Sequence, residues 1–153
     1  MKKFLLVLVV LIVIAFIGMQ FKRPALVNPP VDESQTIFAT GNVPPDVKAI
    51  IDRSCNDCHT HTVRWPWYSK VAPMSWLVAE DVEEGRKELN FSMWATYKPR
   101  RQDHKLEEIC EQVKDGEMPL KNYLYLHRDA KLTDADRQRL CEWADGFRAE
   151  IRR

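Results

Sequence analysis

The sequence lacks any stretch in which apolar and polar residues alternate over a useful length, which is the pattern of a half-buried strand. It also lacks an internal repeat and a low-complexity tract. These absences argue against a sheet and against a repeat array. With 153 residues, the chain has room for one small domain plus an anchor, but not for two full cores.

A surplus of basic residues is also missing once the N-terminus is set aside. Residues 1–23 carry four basic residues and no acidic one, so without them the 23 basic and 22 acidic residues become 19 and 22, a net charge near −3. Phosphate binding needs a basic surface. The charge balance therefore argues against nucleic acid as a partner.

What is present first is an apolar run over residues 4–21, roughly 18 residues long and close to the length that crosses a bilayer core. The run ends in G-M-Q-F-K-R-P, which contains no small-x-small cleavage site, and no nearby cysteine could take a lipid. Residues 1–23 are therefore predicted to be an uncleaved membrane anchor, with a cleaved signal sequence as the alternative. The very short tail before the run is expected to stay in the cytoplasm, which places the domain outside.

Proline is concentrated just after this run, since five of the nine prolines lie between Pro24 and Pro45. Proline blocks regular hydrogen bonding and stiffens the chain. Residues 24–44 are therefore predicted to be an extended linker that holds the domain off the membrane. Residues 45–153 are predicted to be the folded domain.

Helical periodicity dominates this domain. The predicted helices run from Pro45 into Cys55, from Pro73 to near Gly85, from about His104 to Lys114, and onward from Thr133, whose hydroxyl can cap the amide of Asp136. The expected buried side of the second helix is Trp76, Leu77, Ala79 and Val82. The fold class is therefore all-α, with sizeable loops. So small a domain is short of core, which suggests that something large fills its middle.

Residues 54–61 read S-C-N-D-C-H-T-H and contain the pattern C-x-x-C-H. Cys55 and Cys58 are three residues apart on a helical turn, so both sulfurs can add to the two vinyl groups of a haem, and His59 can ligate the iron from the same side. The prediction is one covalently attached haem c. Zinc, a thioredoxin-like redox pair and a plain disulfide are the alternatives, but no second C-x-x-C and no βαβ context accompany the motif.

Two further cysteines, Cys110 and Cys141, lie on predicted helices beside apolar neighbours. In an oxidising compartment they could form one disulfide between the third and the last helix. The alternative is a pair of buried free thiols.

The second axial position of a haem iron decides between an electron carrier and a catalyst. Met118 lies in V-K-D-G-E-M-P-L, where a helix ends at a glycine and Pro119 would stiffen the loop. Its soft thioether makes it the predicted sixth ligand. The competitors are His61, His104, His127, Met74 and Met93. Large aromatic residues soon after the triplet, Trp65 and Trp67, are candidates for walls of the haem pocket, with ordinary packing as the alternative.

The order C-x-x-C-H, helix, G-x-M-P and L-T-D-A-D resembles class I cytochromes c. More narrowly, C-N-D-C-H, W-P-W-Y-S, A-P-M-S-W-L-V, D-V-E-E-G-R, L-N-F-S-M-W, G-E-M-P-L and L-T-D-A-D resemble the bacterial haem-binding domain family of small, membrane-anchored proteins. This resemblance implies a cytochrome c-like fold, thioether attachment at Cys55 and Cys58, and His59 as proximal ligand. Met118 fits the axial methionine of cytochromes c.

The expected function is electron transfer by a monohaem cytochrome anchored in the bacterial inner membrane, with its haem domain on the periplasmic side. A redox protein of the envelope is the expected partner, and neither enzymatic activity nor a small-molecule substrate is predicted. Two alternatives stay open. One is a peroxidase-like enzyme or a gas or redox sensor with a displaceable sixth ligand, and the other is a fixed relay within a larger respiratory complex.

Overall fold

The computed structural model describes the whole chain, residues 1–153, and contains helices but no strand. The α-helices are α1 (Lys2–Met19), α2 (Ile37–Thr40), α3 (Pro45–Ser54), α4 (Asn56–His59), α5 (Met74–Glu88), α6 (Pro99–Lys114), α7 (Lys121–Leu124) and α8 (Asp134–Ile151). Short 3-10 helices lie at Glu33–Gln35, Trp67–Lys70, Phe91–Thr96 and Arg128–Ala130. The prediction of an all-α fold is confirmed.

The N-terminal helix α1 stands apart from the rest in composition. Its 18 residues have a mean hydropathy of 2.6, and none of them is buried. By length and composition it can cross a membrane, and a signal sequence at this position has the same properties.

The core lies mainly where α6 and α8 pack against each other, and α3 packs against α8. The contributing residues include Val47 and Ile51 of α3, Leu106 and Val113 of α6, and Leu140, Trp143 and Ala144 of α8. Cys110 and Cys141 form a disulfide in this core, as one of the two interpretations expected. The disulfide therefore joins α6 and α8, the two main helices of the core, across 31 positions of the chain.

Helix α8 begins where the sequence predicts. The Thr133 hydroxyl accepts a hydrogen bond from the Asp136 amide (3.1 Å), and the Asp136 carboxylate accepts one from the Thr133 amide (2.8 Å). This reciprocal pair is a capping box, which satisfies amides that have no partner inside the helix. Helix α6, by contrast, begins at Pro99 rather than near His104, since proline fits the first helical turn.

Helix α5 packs differently from the prediction. Its buried residues are Ser75 and Val82, whereas Trp76 and Ala79 are half-buried and Leu77 is 37% exposed. The predicted buried side is therefore wrong except at Val82. The reason is that α5 contacts mainly α4 and the short helix at Trp67–Lys70, so only a narrow line of its surface is covered.

Residues 24–44 also differ from the expected extended linker. Ile37 in α2 is fully buried, and Phe38 and Val43 pack against the same core. Closer to α1, the Asn28 side chain donates to the Val63 carbonyl (2.9 Å). The folded unit therefore begins near Glu33 rather than at Pro45, and the preceding prolines run along its surface.

Candidate functional site

Two adjoining hollows of about 240 and 250 Å³ lie beside the core. Both are lined by Cys55, His59, Glu88 and Met118. The first hollow is mainly apolar, with walls that include Ile51, Leu89, Phe91, Ile109, Val113, Leu140 and Trp143. Together the hollows form one cleft whose volume lies in the range of about 300–1,000 Å³ that is usual for cofactor pockets.

The C-x-x-C-H segment lies at the junction of α3 and α4. Helix α3 ends at Ser54, and the amides of Cys58 and His59 then donate to the Cys55 carbonyl (3.2 and 3.0 Å), which forms a tight new turn. This turn brings Cys55, Cys58 and His59 to the same cleft. The two cysteines are free and half-buried, and desolvation raises the pKa of both thiols to about 12. They are therefore neutral thiols at physiological pH.

The imidazole of His59 is held by backbone carbonyls at the C-terminal end of α5 and just beyond it. Its Nδ1 lies 2.9 Å from the Gly85 carbonyl oxygen and 2.9 Å from the Leu89 carbonyl oxygen. An N–H at Nδ1 that donates to these carbonyls fixes the tautomer, so Nε2 carries the lone pair. Burial lowers the pKa of His59, which favours the same neutral ring. A neutral imidazole with Nε2 free is the form that binds a metal.

Gly85 allows α5 to lie in close contact with the C-x-x-C-H turn. A Cβ at Gly85 would lie 2.8 Å from the Cys58 carbonyl oxygen and 3.2 Å from the Cys58 Cβ. Real Cβ atoms essentially never come within 3.0 Å of such an atom. Gly85 was interpreted from the sequence as a helix end, but in the structure it is the contact point between α5 and the C-x-x-C-H turn.

Met118 lies in the loop after α6 and lines the cleft together with residues of α5. Gly116, with φ of 70°, reverses the chain, and the amides of Glu117 and Met118 both donate to the Gln112 carbonyl (3.0 and 3.1 Å). The Met118 side chain is half-buried and lines both hollows. The structure therefore places a thioether in the same cleft as His59.

The competitors for the sixth position lie elsewhere, and none of them lines either hollow. His61 contacts the Asn90 side chain (2.9 Å), His104 is exposed on α6, and His127 stacks on Tyr123 with ring centroids 3.9 Å apart. Met74 and Met93 are 39% and 41% exposed. Among the residues considered from the sequence, Met118 is the one that the fold brings to the cleft.

The predicted tryptophan walls are not found. Neither Trp65 nor Trp67 lines the cleft, and Trp67 is 76% exposed. The tryptophan in the wall is Trp143 of α8. Its Nε1 is buried and has no hydrogen-bond partner within the protein.

Charged residues at the cleft were also missed by the sequence interpretation. Lys105 is 11% exposed and lies between Glu88 (3.3 Å) and Glu108 (2.6 Å), and all three line the first hollow. Lys105 and Glu108 both lie on α6. The spacing of three residues between Lys105 and Glu108 could have predicted that the two side chains pair on one face of a helix.

Tyr123 and Asp57 border the second hollow. The Tyr123 hydroxyl donates to the Asp57 carboxylate (3.0 Å), and Arg64 pairs with the same carboxylate (2.9 Å). Burial, reinforced by the nearby negative charge of Asp57, raises the pKa of Tyr123. Tyr123 therefore stays protonated and links the chain after Met118 to the C-x-x-C-H turn.

These features suit a flat, largely apolar cofactor that carries iron. The cleft offers apolar walls, two thiols on one turn, an oriented imidazole, a thioether, and in Trp143 an unpartnered donor. The zinc alternative has no comparable site, because the chain contains no group of three or more His, Cys, Asp or Glu side chains that could hold a metal ion.

The comparison with protein families agrees with this geometry. A family model described as the haem-binding domain matches residues 14–146, and this range includes the whole cleft. No curated protein and no solved structure matches the chain. The match covers most of the sequence, so the chain belongs to the haem-binding domain family.

Proposed function

We propose that this haem-binding protein is a membrane-anchored monohaem cytochrome of the c type, which carries electrons in the bacterial cell envelope. The observation that carries the proposal is the position of His59. The carbonyls of Gly85 in α5 and of Leu89 just after it hold its Nδ1, and its ring lies in the same cleft as both motif cysteines and Met118. A metal-binding imidazole beside two thiols is the arrangement that covalent haem attachment requires.

Attachment would use the thiols of Cys55 and Cys58. In each addition the sulfur bonds to one carbon of a vinyl group and the thiol hydrogen passes to the other carbon, so the step needs no oxidant or reductant. The two cysteines are free thiols rather than a disulfide, which is the state that this addition needs. The turn from Cys55 to His59 brings both cysteines and the imidazole to the same cleft, which supports attachment at this place.

Ligation would involve His59 on one side and Met118 on the other. A haem held by a histidine and a methionine supplies one-electron exchange between ferric and ferrous iron, and the methionine raises its potential. With both positions filled, no site is left for a substrate. The geometry of the cleft therefore favours an electron carrier over a peroxidase-like enzyme or a gas sensor.

Helix α1 would anchor the protein, with the haem domain on the periplasmic side of the inner membrane. The length of 18 residues and the mean hydropathy of 2.6 support this placement, and so does the oxidised Cys110–Cys141 pair, because disulfides persist in oxidising compartments. A redox protein of the envelope would then be the partner. Binding within a larger respiratory complex would use the same electron-carrying site.

The test is an absorption spectrum of the full chain in detergent, purified from cells that can attach haem c. The wild type should show the weak far-red band of methionine-bound ferric haem and should not bind carbon monoxide in the ferrous state. Met118→Ala should lose the band and bind carbon monoxide. Met93→Ala is the matched control, because Met93 is 41% exposed and lies outside the cleft.

Different outcomes point to different functions. If the wild type already binds carbon monoxide and Met118→Ala behaves in the same way, Met118 is not a ligand and the enzyme or sensor interpretation takes precedence. If haem separates from the chain on denaturation, attachment through Cys55 and Cys58 is excluded while haem binding stands.

A further inference from the structure

Exposed apolar side chains are concentrated in one short segment of the folded unit. Beyond residue 21, large hydrophobic side chains are exposed at Val27, Trp67, Val71, Met74, Leu77, Met93, Tyr125 and Leu126. Four of these eight lie between residues 67 and 77, and we call Trp67, Val71, Met74 and Leu77 the apolar patch. Trp67 is 76% exposed, which is unusual for so large a ring.

The apolar patch lies next to the end of α1. The Gln20 side chain makes two hydrogen bonds to the Ala72 backbone, donating to its carbonyl (3.1 Å) and accepting from its amide (3.0 Å). Trp76 Nε1 donates to the Lys22 carbonyl (2.6 Å). These bonds fix the segment that carries the patch to the residues that immediately follow α1.

The length of α1 sets the depth of this junction. A helix of 18 residues is about 27 Å long, close to the roughly 30 Å of a bilayer hydrocarbon core. If α1 spans the membrane, Gln20 lies at the boundary between hydrocarbon and headgroups. Ala72, which is bonded to Gln20, then lies at the same boundary.

Within the segment that carries the apolar patch the charge is basic, and the first acidic residues after it, Glu80 and Asp81, lie one turn beyond Leu77 on α5. The sequence has no Asp or Glu between Asp57 and Glu80, whereas Lys22, Arg23 and Lys70 are exposed beside the patch. Basic residues next to a membrane-spanning helix are attracted to anionic lipid. Tryptophan prefers the membrane interface because its ring is apolar and its N–H is polar.

We propose that the apolar patch inserts into the lipid headgroup region of the membrane that α1 enters. This inference rests on the anchor in the proposed function. In this arrangement the domain does not hang from the membrane on a flexible linker. It rests on the bilayer through its Trp67–Leu77 face. Lipid is favoured over a protein partner because the hydrogen bonds to Gln20 keep the patch where the chain leaves the bilayer.

The experiment uses spin labels on the full haem-loaded chain in vesicles that contain anionic phosphatidylglycerol. Single cysteines are introduced by Met74→Cys or Val71→Cys in the patch, Ile12→Cys in α1, and Glu142→Cys on the exposed side of α8. Relaxation by oxygen, which concentrates in lipid, is compared with relaxation by a water-soluble nickel complex. The unsubstituted chain, labelled in parallel, gives the background from the native cysteines.

The ratio of oxygen to nickel accessibility should be high at positions 12, 71 and 74 and low at 142. A high ratio at 12 with a low ratio at 71 and 74 overturns the docking proposal while the anchor stands. A low ratio at 12 removes the anchor and the docking proposal together. Protection from both reagents at 71 and 74 shows that a protein covers the patch, which also overturns insertion into lipid.

Discussion

The two walls of the cleft are built by different means. The wall formed by α6 and α8 belongs to the core: Leu106 and Leu140 are almost fully buried, and a disulfide joins the two helices. The wall formed by α4 and α5 buries little, and α5 contacts α4 through the close approach of Gly85 to Cys58 and through the Gly85 carbonyl, which accepts from the His59 imidazole. The first wall is therefore a stable support, whereas the second is shaped around the His59 imidazole. Substitutions in the first should act on stability, and substitutions in the second on haem.

The largest effect is expected from removal of the disulfide. The double substitution Cys110→Ala and Cys141→Ala should lower the free energy of unfolding by about 3–4 kcal/mol, because the disulfide closes a loop across 31 positions of the chain. Denaturant titrations of the haem-loaded and haem-free protein measure the loss. Similar losses in both forms are expected, since the disulfide lies within the core wall. A loss confined to the haem-loaded form would contradict the assigned roles of the two walls.

The wall formed by α4 and α5 can be tested at Gly85. In Gly85→Ala the new Cβ would lie 2.8 Å from the Cys58 carbonyl oxygen, so α5 must move away from the C-x-x-C-H turn. Overpacking of this kind costs about 1–3 kcal/mol. The fraction of protein with attached haem should fall as well, because His59 is bonded to the same stretch of α5. Haem content per chain and unfolding free energy are the two measurements.

The matched control is Gly146→Ala in α8, where a Cβ would meet nothing within 4 Å. Alanine inside a helix is more favourable than glycine by about 0.5–1 kcal/mol. This control should therefore stabilise the protein and leave its haem content unchanged. Equal effects of the two substitutions would contradict the close contact at Gly85.

A smaller, pH-dependent effect is expected at the start of α8. Burial alone would raise the pKa of Asp136, but its hydrogen bonds with Thr133 and the nearby Arg53 guanidinium outweigh burial and hold this pKa below its usual value. Its stabilising contribution is therefore present above the unfolded value of about 3.9 and is lost as the pH falls through the folded value. Asp136→Asn should cost about 0.5–2 kcal/mol at pH 7, in the range of a lost helix cap.

The difference between wild type and Asp136→Asn should shrink as the pH is lowered below about 4. Unfolding titrations at several pH values measure this difference. Asp134→Asn is the control, because the Asp134 side chain is fully exposed and should contribute little at any pH. A cost for Asp136→Asn that is constant down to low pH would show that charge is not responsible.

Local chemistry explains what the sequence could predict. The spacing of Cys55, Cys58 and His59 lies within one turn, and the Thr133 cap lies within four residues, so both can be recognised without tertiary structure. Met118 could be proposed because a glycine and a proline mark its loop. The family match supports haem binding, while the roles of these residues as ligands remain part of the proposed function.

Tertiary packing explains what the sequence could not predict. Trp76, Leu77, Val78 and Ala79 are consecutive apolar residues, so periodicity could not select the face of α5 that is buried. A linker was predicted for residues 24–44 because of the prolines before Pro45. The apolar residues Ile37, Phe38 and Val43 of this segment were given less weight, but they pack against the core. Trp67 was assigned to the cleft because it is large and closely follows the C-x-x-C-H triplet, and the fold exposes it.

The contact between His59 and the Leu89 carbonyl has a consequence for mutagenesis. Helix α5 ends at Glu88, and the carbonyls at the end of a helix have no amide partner within it. The His59 imidazole donates to the carbonyls of Gly85, in the last turn of α5, and of Leu89, the residue after the helix, so His59 stabilises the end of α5 as well as being the proposed iron ligand. A substitution of His59 would remove these hydrogen bonds and the ligand together, and loss of haem would then have two causes. The Met118 side chain makes no such hydrogen bond. A substitution of Met118 therefore separates the effect on ligation from the effect on folding more cleanly than a substitution of His59.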